Sequence, residues 1–240
     1  MRLRATCSVL AATAATSIAL APAASATASP PGIPSTATAI SQLDALPVET
    51  EGSMTGYDRD EFNHWITVDG CDTRETVLAR DGDDVQVGSD CRPTSGDWFS
   101  EYDGASFTDG SDLDIDHVVP LAEAWRSGAD SWSDQEREDF ANDLEGPQLI
   151  AVSASSNRSK GDQDPSTWWP TRTTYRCTYA KMWVATKYRW GLALQSAEKT
   201  ALSDGLALSI SGAVGSVAGL IAQNNYSAIK AWVNTFSDAL

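Results

Sequence analysis

Histidine is scarce in this 240-residue chain, which contains only His64 and His117. Cysteine is also rare, with four residues in all. These shortages exclude a histidine-rich metal cage, and they leave a structural zinc protein without enough ligands. Basic residues are few as well, since 17 Lys and Arg stand against 33 Asp and Glu, a formal net charge of -16. Such a balance disfavours a protein that coats nucleic acid through bulk charge, but it is compatible with an enzyme that handles nucleic acid at one local site.

The N-terminal segment lacks the long apolar run of a membrane anchor. Arg2 and Arg4 precede a short stretch rich in Ala and Thr, and residues 24–26 read Ala-Ser-Ala. This order is typical of a secretory signal peptide that is cleaved after Ala26, with a competing site after Ala28. We therefore expect residues 1–26 to be removed and the mature protein to be secreted, with no membrane partner.

The expected export determines how the cysteines are interpreted. Cys7 would leave with the signal peptide, and an oxidising compartment favours a disulfide between Cys71 and Cys91, which are twenty positions apart. Closing such a loop stabilises a fold by about 3 kcal/mol in the chain-entropy model. Cys177 is left over, either as a buried free thiol, which we favour, or as an intermolecular bridge.

Composition divides the rest of the chain into three parts. Residues 27–51 are rich in Ala, Ser, Thr and Pro and predict a flexible leader. Residues 52–208 predict one compact domain. Residues 209–240 form a C-terminal tail rich in small residues, which would serve as a packing helix, an interaction segment or a poorly ordered end.

Patterns within the compact part predict a mixed α+β fold. Residues 113–119 alternate apolar and polar side chains and stop at Pro120, as a strand would. Residues 148–152 predict a second strand, and the serines of residues 153–160 are suited to capping a helix. Three further predicted helices cover residues 134–143, 173–190 and 196–208.

One segment carries most of the candidate chemistry. Asp116 offers a hard oxygen ligand suited to Mg²⁺, and the adjacent His117 can take a proton from water near neutral pH. An Asp-His pair alone is weak evidence, since structural contacts of this kind are common. Asn157 strengthens it, because its amide oxygen could complete a metal shell. Arg158 and Lys160 follow as two cations that could reach phosphate.

These segments together resemble a known family. The sequences DIDHVVPL, FANDL and QLIAVSASSNRSKGD are similar to the HNH, or ββα-metal, nucleases, also called His-Me finger nucleases. A longer match, which includes YDRDEF, GCDTRETVL and RCTY, resembles secreted actinobacterial HNH proteins akin to the C-terminal domain of GmrSD-type restriction enzymes. The resemblance runs from about Tyr57 to Leu208. It implies an α+β fold with a ββα-metal core and a helical C-terminal part.

The resemblance also implies roles for individual residues. Asp116 and Asn157 would ligate the metal, and His117 would be the general base. Asn142 would orient the histidine-bearing loop through backbone hydrogen bonds. Lys160, and with less support Arg158, would clamp a substrate phosphate.

Other residues have alternative roles, and the chain departs from its relatives at one point. Glu123 would be a surface carboxylate or a water-mediated metal partner, and His64 would be structural. Trp168 and Trp169 favour core packing over stacking on bases. Relatives have a partner for the cysteine in RCTY near the end of the last helix, whereas this chain has Ala207-Leu208-Ser209 there.

The function expected from the sequence is a secreted, monomeric endonuclease that hydrolyses phosphodiester bonds in DNA, with RNA also allowed. Its cofactor would be one divalent ion, Mg²⁺ or alternatively Mn²⁺. Two alternatives stay open: a non-catalytic exported binding domain on the same scaffold, and an antagonistic nuclease toxin.

Overall fold

The structure is a computed structural model that describes residues 30–207. The expected signal peptide and the expected tail lie outside the described residues. The helices are α1 (Thr36–Ala45), α2 (Thr73–Asp81), α3 (Leu121–Arg126), α4 (Asp134–Ala141), α5 (Ala154–Lys160) and α6 (Arg176–Arg189), and residues 196–207 are also helical. The strands are β1 (Thr67–Val68), β2 (Cys71–Asp72), β3 (Gly82–Val87), β4 (Pro93–Phe99), β5 (Ser106–Phe107), β6 (Leu113–His117) and β7 (Leu149–Ser153).

The described strands form three small antiparallel sheets. β1 pairs with β2, β3 and β5 flank β4, and β6 pairs with β7. Helices and short antiparallel sheets occur together, so the predicted α+β class is confirmed. None of the helices in residues 30–207 combines the length and apolar character that crossing a membrane requires.

The β6–β7 hairpin and α5 form a continuous strand-strand-helix unit. Asp116 lies opposite Ile150 and His117 opposite Leu149 in the antiparallel register. The Ser153 side chain accepts a hydrogen bond from the Ser156 main-chain N–H at 3.2 Å, which caps the start of α5 directly after β7. The helix stops at Gly161, whose φ of 55° lies in the left-handed region where glycine is favoured.

Helix α6 is the central element of the larger hydrophobic core. Its buried Tyr179, Met182 and Trp183 recur at helical spacing, as the sequence predicted. The partly buried Trp168 and Trp169 pack against the same core, which confirms their expected packing role. The core therefore fixes the segment that follows α5 as well as α6 itself.

The predicted flexible leader is wrong for most of its length. Residues 36–45 form α1, which packs against α6, and Ala39, Leu43 and Leu46 are buried in the core. The backbone beyond α1 is also tied down, because Glu49 N–H donates to Leu194 O at 2.8 Å. The Ala-rich composition suggested a linker, although the apolar residues recur at helical spacing and form a stripe that α6 covers.

The cysteines follow the predicted pairing. Cys71 and Cys91 form a disulfide with Cα atoms 5.4 Å apart. Cys177 is a free cysteine, but it is only half-buried where it packs against the core. The expected full burial of this thiol is therefore wrong.

A buried charge network joins α3, α6 and the last described helix. The Lys187 ammonium lies 2.8 Å from Glu123 and 2.7 Å from Glu198, and all three side chains are buried. Burial disfavours ionised Glu123, but Lys187 and the hydrogen bonds from Arg126 and Ser127 outweigh it and lower its pKa. Burial raises the pKa of Glu198 to about 7, even though Lys187 opposes this. Lys187 therefore pairs with two carboxylates in the core.

We predict that Lys187→Met destabilises the protein by about 3–5 kcal/mol, because it leaves the buried Glu198 without its counter-charge and Glu123 with Arg126 alone. Denaturant unfolding of the variant and the wild type measures the difference. Lys181→Met is the matched control, since Lys181 lies on the same helix and contacts no charged partner among the described residues. Equal stability of the Lys187 variant and this control would contradict the prediction.

Candidate active site

A cleft of about 460 Å³ opens where β6 ends and α5 begins to pack on it. It brings together residues that are far apart in the sequence. Its polar and charged lining residues are Tyr57, Arg59, Asp116, His117, Asn157, Arg158 and Asp162. Four of the predicted site residues, Asp116, His117, Asn157 and Arg158, therefore share one cavity.

Asp116 is held from both sides. Its Oδ1 accepts a hydrogen bond from Lys160 Nζ at 2.8 Å, and its Oδ2 accepts one from the Tyr102 hydroxyl at 2.6 Å. Burial raises the pKa of Asp116, while Lys160 and Tyr102 oppose that shift. These two donors fix the orientation of the carboxylate toward the cleft.

His117 is oriented by a main-chain carbonyl. Its Nε2 lies 2.8 Å from Ala141 O, which can only accept, so Nε2 carries the ring proton and Nδ1 keeps a free lone pair. Burial lowers the pKa of His117 to about 3, with a smaller contribution from the positive charge of Arg59. The imidazole is therefore neutral at pH 7, and its Nδ1 lone pair is unprotonated.

Asn157 and Arg158 line the same cleft from α5. Asn157 Nδ2 donates to Asp114 Oδ2 at 3.2 Å, which leaves Asn157 Oδ1 without a hydrogen-bond donor among the described residues. Arg158 Nε lies 3.7 Å from the same Asp114 oxygen, and its side chain is 76% exposed. Because Asp114 accepts from the Asn157 amide nitrogen, the amide oxygen of Asn157 points away from Asp114. The Arg158 side chain stays accessible to solvent.

Lys160 does not occupy the predicted position of a phosphate clamp. Its side chain is completely buried, and its Nζ donates to Asp116 Oδ1 and to His117 O, both at 2.8 Å. A phosphate on the surface cannot reach this ammonium. The predicted clamp is therefore wrong, and Lys160 instead positions Asp116 and the main chain of His117.

Asn142 makes main-chain hydrogen bonds, as expected, but to a different segment. Its Nδ2 donates to Asn63 O at 2.8 Å, and its Oδ1 accepts from Ile66 N–H at 3.2 Å and Thr73 Oγ1 at 2.8 Å. The loop that Asn142 holds is therefore residues 63–66 rather than the loop of His117. Its effect on His117 passes through the preceding residue, Ala141.

The segment held by Asn142 places two rings beside His117. The Trp65 and His64 ring centroids lie 5.3 Å and 6.3 Å from that of His117. Trp65 has a φ of 61°, an uncommon left-handed conformation for an aromatic residue. The sequence predicted a structural role for His64 outside the site. The two histidines are far apart along the chain, so nothing in the sequence indicated that their rings are in contact.

Glu123 is neither a surface carboxylate nor a metal partner. It is buried, and besides Lys187 it accepts hydrogen bonds from Arg126 at 2.9 Å and Ser127 at 2.8 Å. The negative charge of Glu123 is therefore paired inside the core.

Sequence reasoning missed two further members of the site. Tyr102 is buried, and it meets Asp116 only through the tertiary fold. Arg59 lines the cleft from a 3₁₀ turn, Arg59–Glu61. Arg59 belongs to the YDRDEF segment, which is part of the family resemblance, and this membership could have indicated its place in the site.

The donor set suits one hard divalent cation with few protein ligands. No group of three His, Cys, Asp or Glu residues within the described chain is placed to hold a metal. Asp116 and Asn157 nevertheless offer a carboxylate and a free amide oxygen in the same cleft. Mg²⁺ is commonly bound by one or two carboxylates, with waters and substrate phosphates as the remaining ligands. The residues present therefore fit Mg²⁺ better than they fit a zinc cage.

Comparison with known proteins places this site in a family. An uncharacterized secreted protein of Arthroderma benhamiae is 56% identical over 175 residues, which are 72% of this chain and 86% of the relative. The chain belongs to the family of this secreted protein. Residues 89–204 match the family described as GmrSD restriction endonucleases, C-terminal domain. No solved structure matches the chain.

These findings confirm two sequence expectations. The similarity to the GmrSD C-terminal domain is shown, and the matched residues include Asp116, His117 and Asn157. The protein is secreted, as its relative is. An actinobacterial origin stays a prediction.

We predict that Tyr102→Phe destabilises the protein by about 1.5–3 kcal/mol, because it removes one hydrogen bond to a buried carboxylate and keeps the ring. Tyr188→Phe is the matched control, since Tyr188 is half exposed. Thermal unfolding of both variants measures the effect. A Tyr102 variant as stable as the control would mean that the hydroxyl does not hold Asp116.

Proposed function

We propose that the protein is a secreted, metal-dependent endonuclease that hydrolyses phosphodiester bonds in nucleic acid, and that β6, β7 and α5 are its ββα-metal core. One observation carries the proposal: a strand-strand-helix unit brings Asp116, His117 and Asn157 to one cleft. The similarity of residues 89–204 to a restriction endonuclease domain supports the same reaction class.

His117 would act as the general base. Its Nδ1 takes a proton from a water molecule whose oxygen attacks the phosphorus in line with the departing 3′ oxygen. Ala141 O holds the protonated Nε2 and keeps the ring oriented during this transfer. Because the nucleophile is water and not a 2′ hydroxyl, DNA is a substrate and RNA is allowed.

Asp116 and Asn157 would hold one Mg²⁺, or alternatively Mn²⁺, through their side-chain oxygens. When bound, such an ion supplies electrostatic stabilisation to the phosphate and to the leaving oxygen. Lys160 and Tyr102 keep the Asp116 carboxylate oriented, and Arg158 binds phosphate at the mouth of the cleft.

The decisive experiment is incubation of the mature protein with plasmid DNA and with RNA, with Mg²⁺, Mn²⁺, Ca²⁺ or Zn²⁺ after metal stripping. We expect cleavage with Mg²⁺ or Mn²⁺ and none in EDTA. Full activity in EDTA would exclude the one-metal mechanism. Binding without cleavage under every condition would favour the non-catalytic alternative.

His117→Ala should lower the cleavage rate by about 10²- to 10⁴-fold, the usual contribution of a general base. The melting temperature checks that the variant folds. His64→Ala is the comparison, because it removes the other histidine of the chain. A loss as large in the His64 variant would move the base to His64, and wild-type turnover in the His117 variant would remove the assignment.

Asn157→Ala should raise the Mg²⁺ concentration needed for half-maximal activity, and excess Mg²⁺ should restore part of the rate. Ser159→Ala is the matched control, because Ser159 lies exposed on the same helix. A metal titration of cleavage by both variants tests this. An unchanged Mg²⁺ dependence in the Asn157 variant would contradict its role as a ligand.

A further inference from the structure

We propose that Arg59 binds a phosphate next to the scissile one, so that the cleft takes a nucleic-acid strand rather than an isolated phosphodiester. This inference rests on the proposed function. It assigns a substrate-positioning role to a residue outside the strand-strand-helix unit and outside the segment that matches the restriction endonuclease domain.

Arg59 is presented to the cleft by an anchored turn. The Asp58 side chain accepts a hydrogen bond from Asp60 N–H at 3.0 Å, which caps the 3₁₀ turn at its start. Phe62 follows the turn and is fully buried against Trp125 and Phe140. The main chain is therefore fixed, while the Arg59 side chain is exposed and lines the cleft.

The Arg59 guanidinium has no salt-bridge partner among the described residues, although acidic residues surround it. Glu61 lies 3.5 Å from Arg137, and Asp162, on the rim of the cleft, lies 3.4 Å from Arg126. These pairs engage Glu61 and Asp162 with other arginines. In a chain of net charge -16, an arginine left unpaired beside a cavity is available to an external anion.

Arg59 and Arg158 are the two basic residues that line the cleft. They belong to different elements, the 3₁₀ turn and α5, and His117 and Asn157 line the same cavity. Two separate guanidinium groups suit two phosphates of one strand, whereas a single diester needs only one. The buried Lys160 cannot supply the second contact.

The test measures binding of a fluorescein-labelled single-stranded 12-mer DNA in EDTA, by anisotropy from 50 to 200 mM NaCl. We expect Arg59→Gln to weaken binding by about threefold to tenfold and to reduce the salt slope by about 0.7, the value of one phosphate contact on a single strand. Arg92→Gln changes an exposed arginine outside the cleft and should alter neither quantity. Unchanged affinity and slope in the Arg59 variant would overturn the proposal.

A second comparison places the contact beside the scissile phosphate. The loss of kcat/KM caused by Arg59→Gln should be larger on the 12-mer than on a dinucleotide with a single phosphodiester. Equal losses on both substrates would overturn the flanking position. The two proposals can fail separately. If the wild type binds DNA through Arg59 but never cleaves it, the nuclease proposal alone is refuted. If the wild type cleaves DNA and the Arg59 variant binds it unchanged, the Arg59 contact alone is refuted.

Discussion

The buried ion pair between Lys160 and Asp116 is the interaction on which the site depends. It joins α5 to β6, and Lys160 also donates to the main chain of His117. Removing charges from water is costly, and breaking such a pair costs about 3–5 kcal/mol because one charge stays buried without a partner. Tyr102 adds a second donor to the carboxylate. The candidate ligand and the candidate base are therefore held by the same ammonium before any substrate arrives, which is what preorganised catalysis requires.

Burial separates the groups that position the site from those that can touch a substrate. Lys160 and Tyr102 lie inside the protein, where each hydrogen bond is shielded from water, and they hold Asp116, which is also buried but lines the cleft. Asn157, Arg158 and Arg59 are accessible along the cleft. The strongly acidic composition does not conflict with an anionic substrate, because several carboxylates are used in internal pairs. A strand would respond to the local field of the cleft more than to the net charge, since salt screens distant surface charges.

Local patterns in the sequence predicted much of the fold. The alternation before Pro120 and the aromatic spacing of α6 report directly on burial, so β6 and α6 lie where expected. Composition misled at α1, because an Ala- and Ser-rich stretch resembles a linker until α6 covers its apolar stripe. Lys160 and Tyr102 could not be placed, since a lysine is ordinarily exposed and each meets Asp116 only through tertiary contacts. The sequence therefore predicted which residues share a motif. It did not predict which of them are buried, because burial depends on partners far along the chain.

A series of hydrogen bonds and ring contacts connects the disulfide to the candidate base. Thr73 begins α2 two residues after Cys71, and its hydroxyl donates to Asn142 Oδ1. Asn142 in turn fixes the segment that sets Trp65 and His64 against His117. A strained φ at Trp65 persists only where the surroundings over-determine it, and these bonds supply that constraint. The disulfide between Cys71 and Cys91, which the oxidising environment of a secreted protein favours, therefore supports the segment that packs against His117.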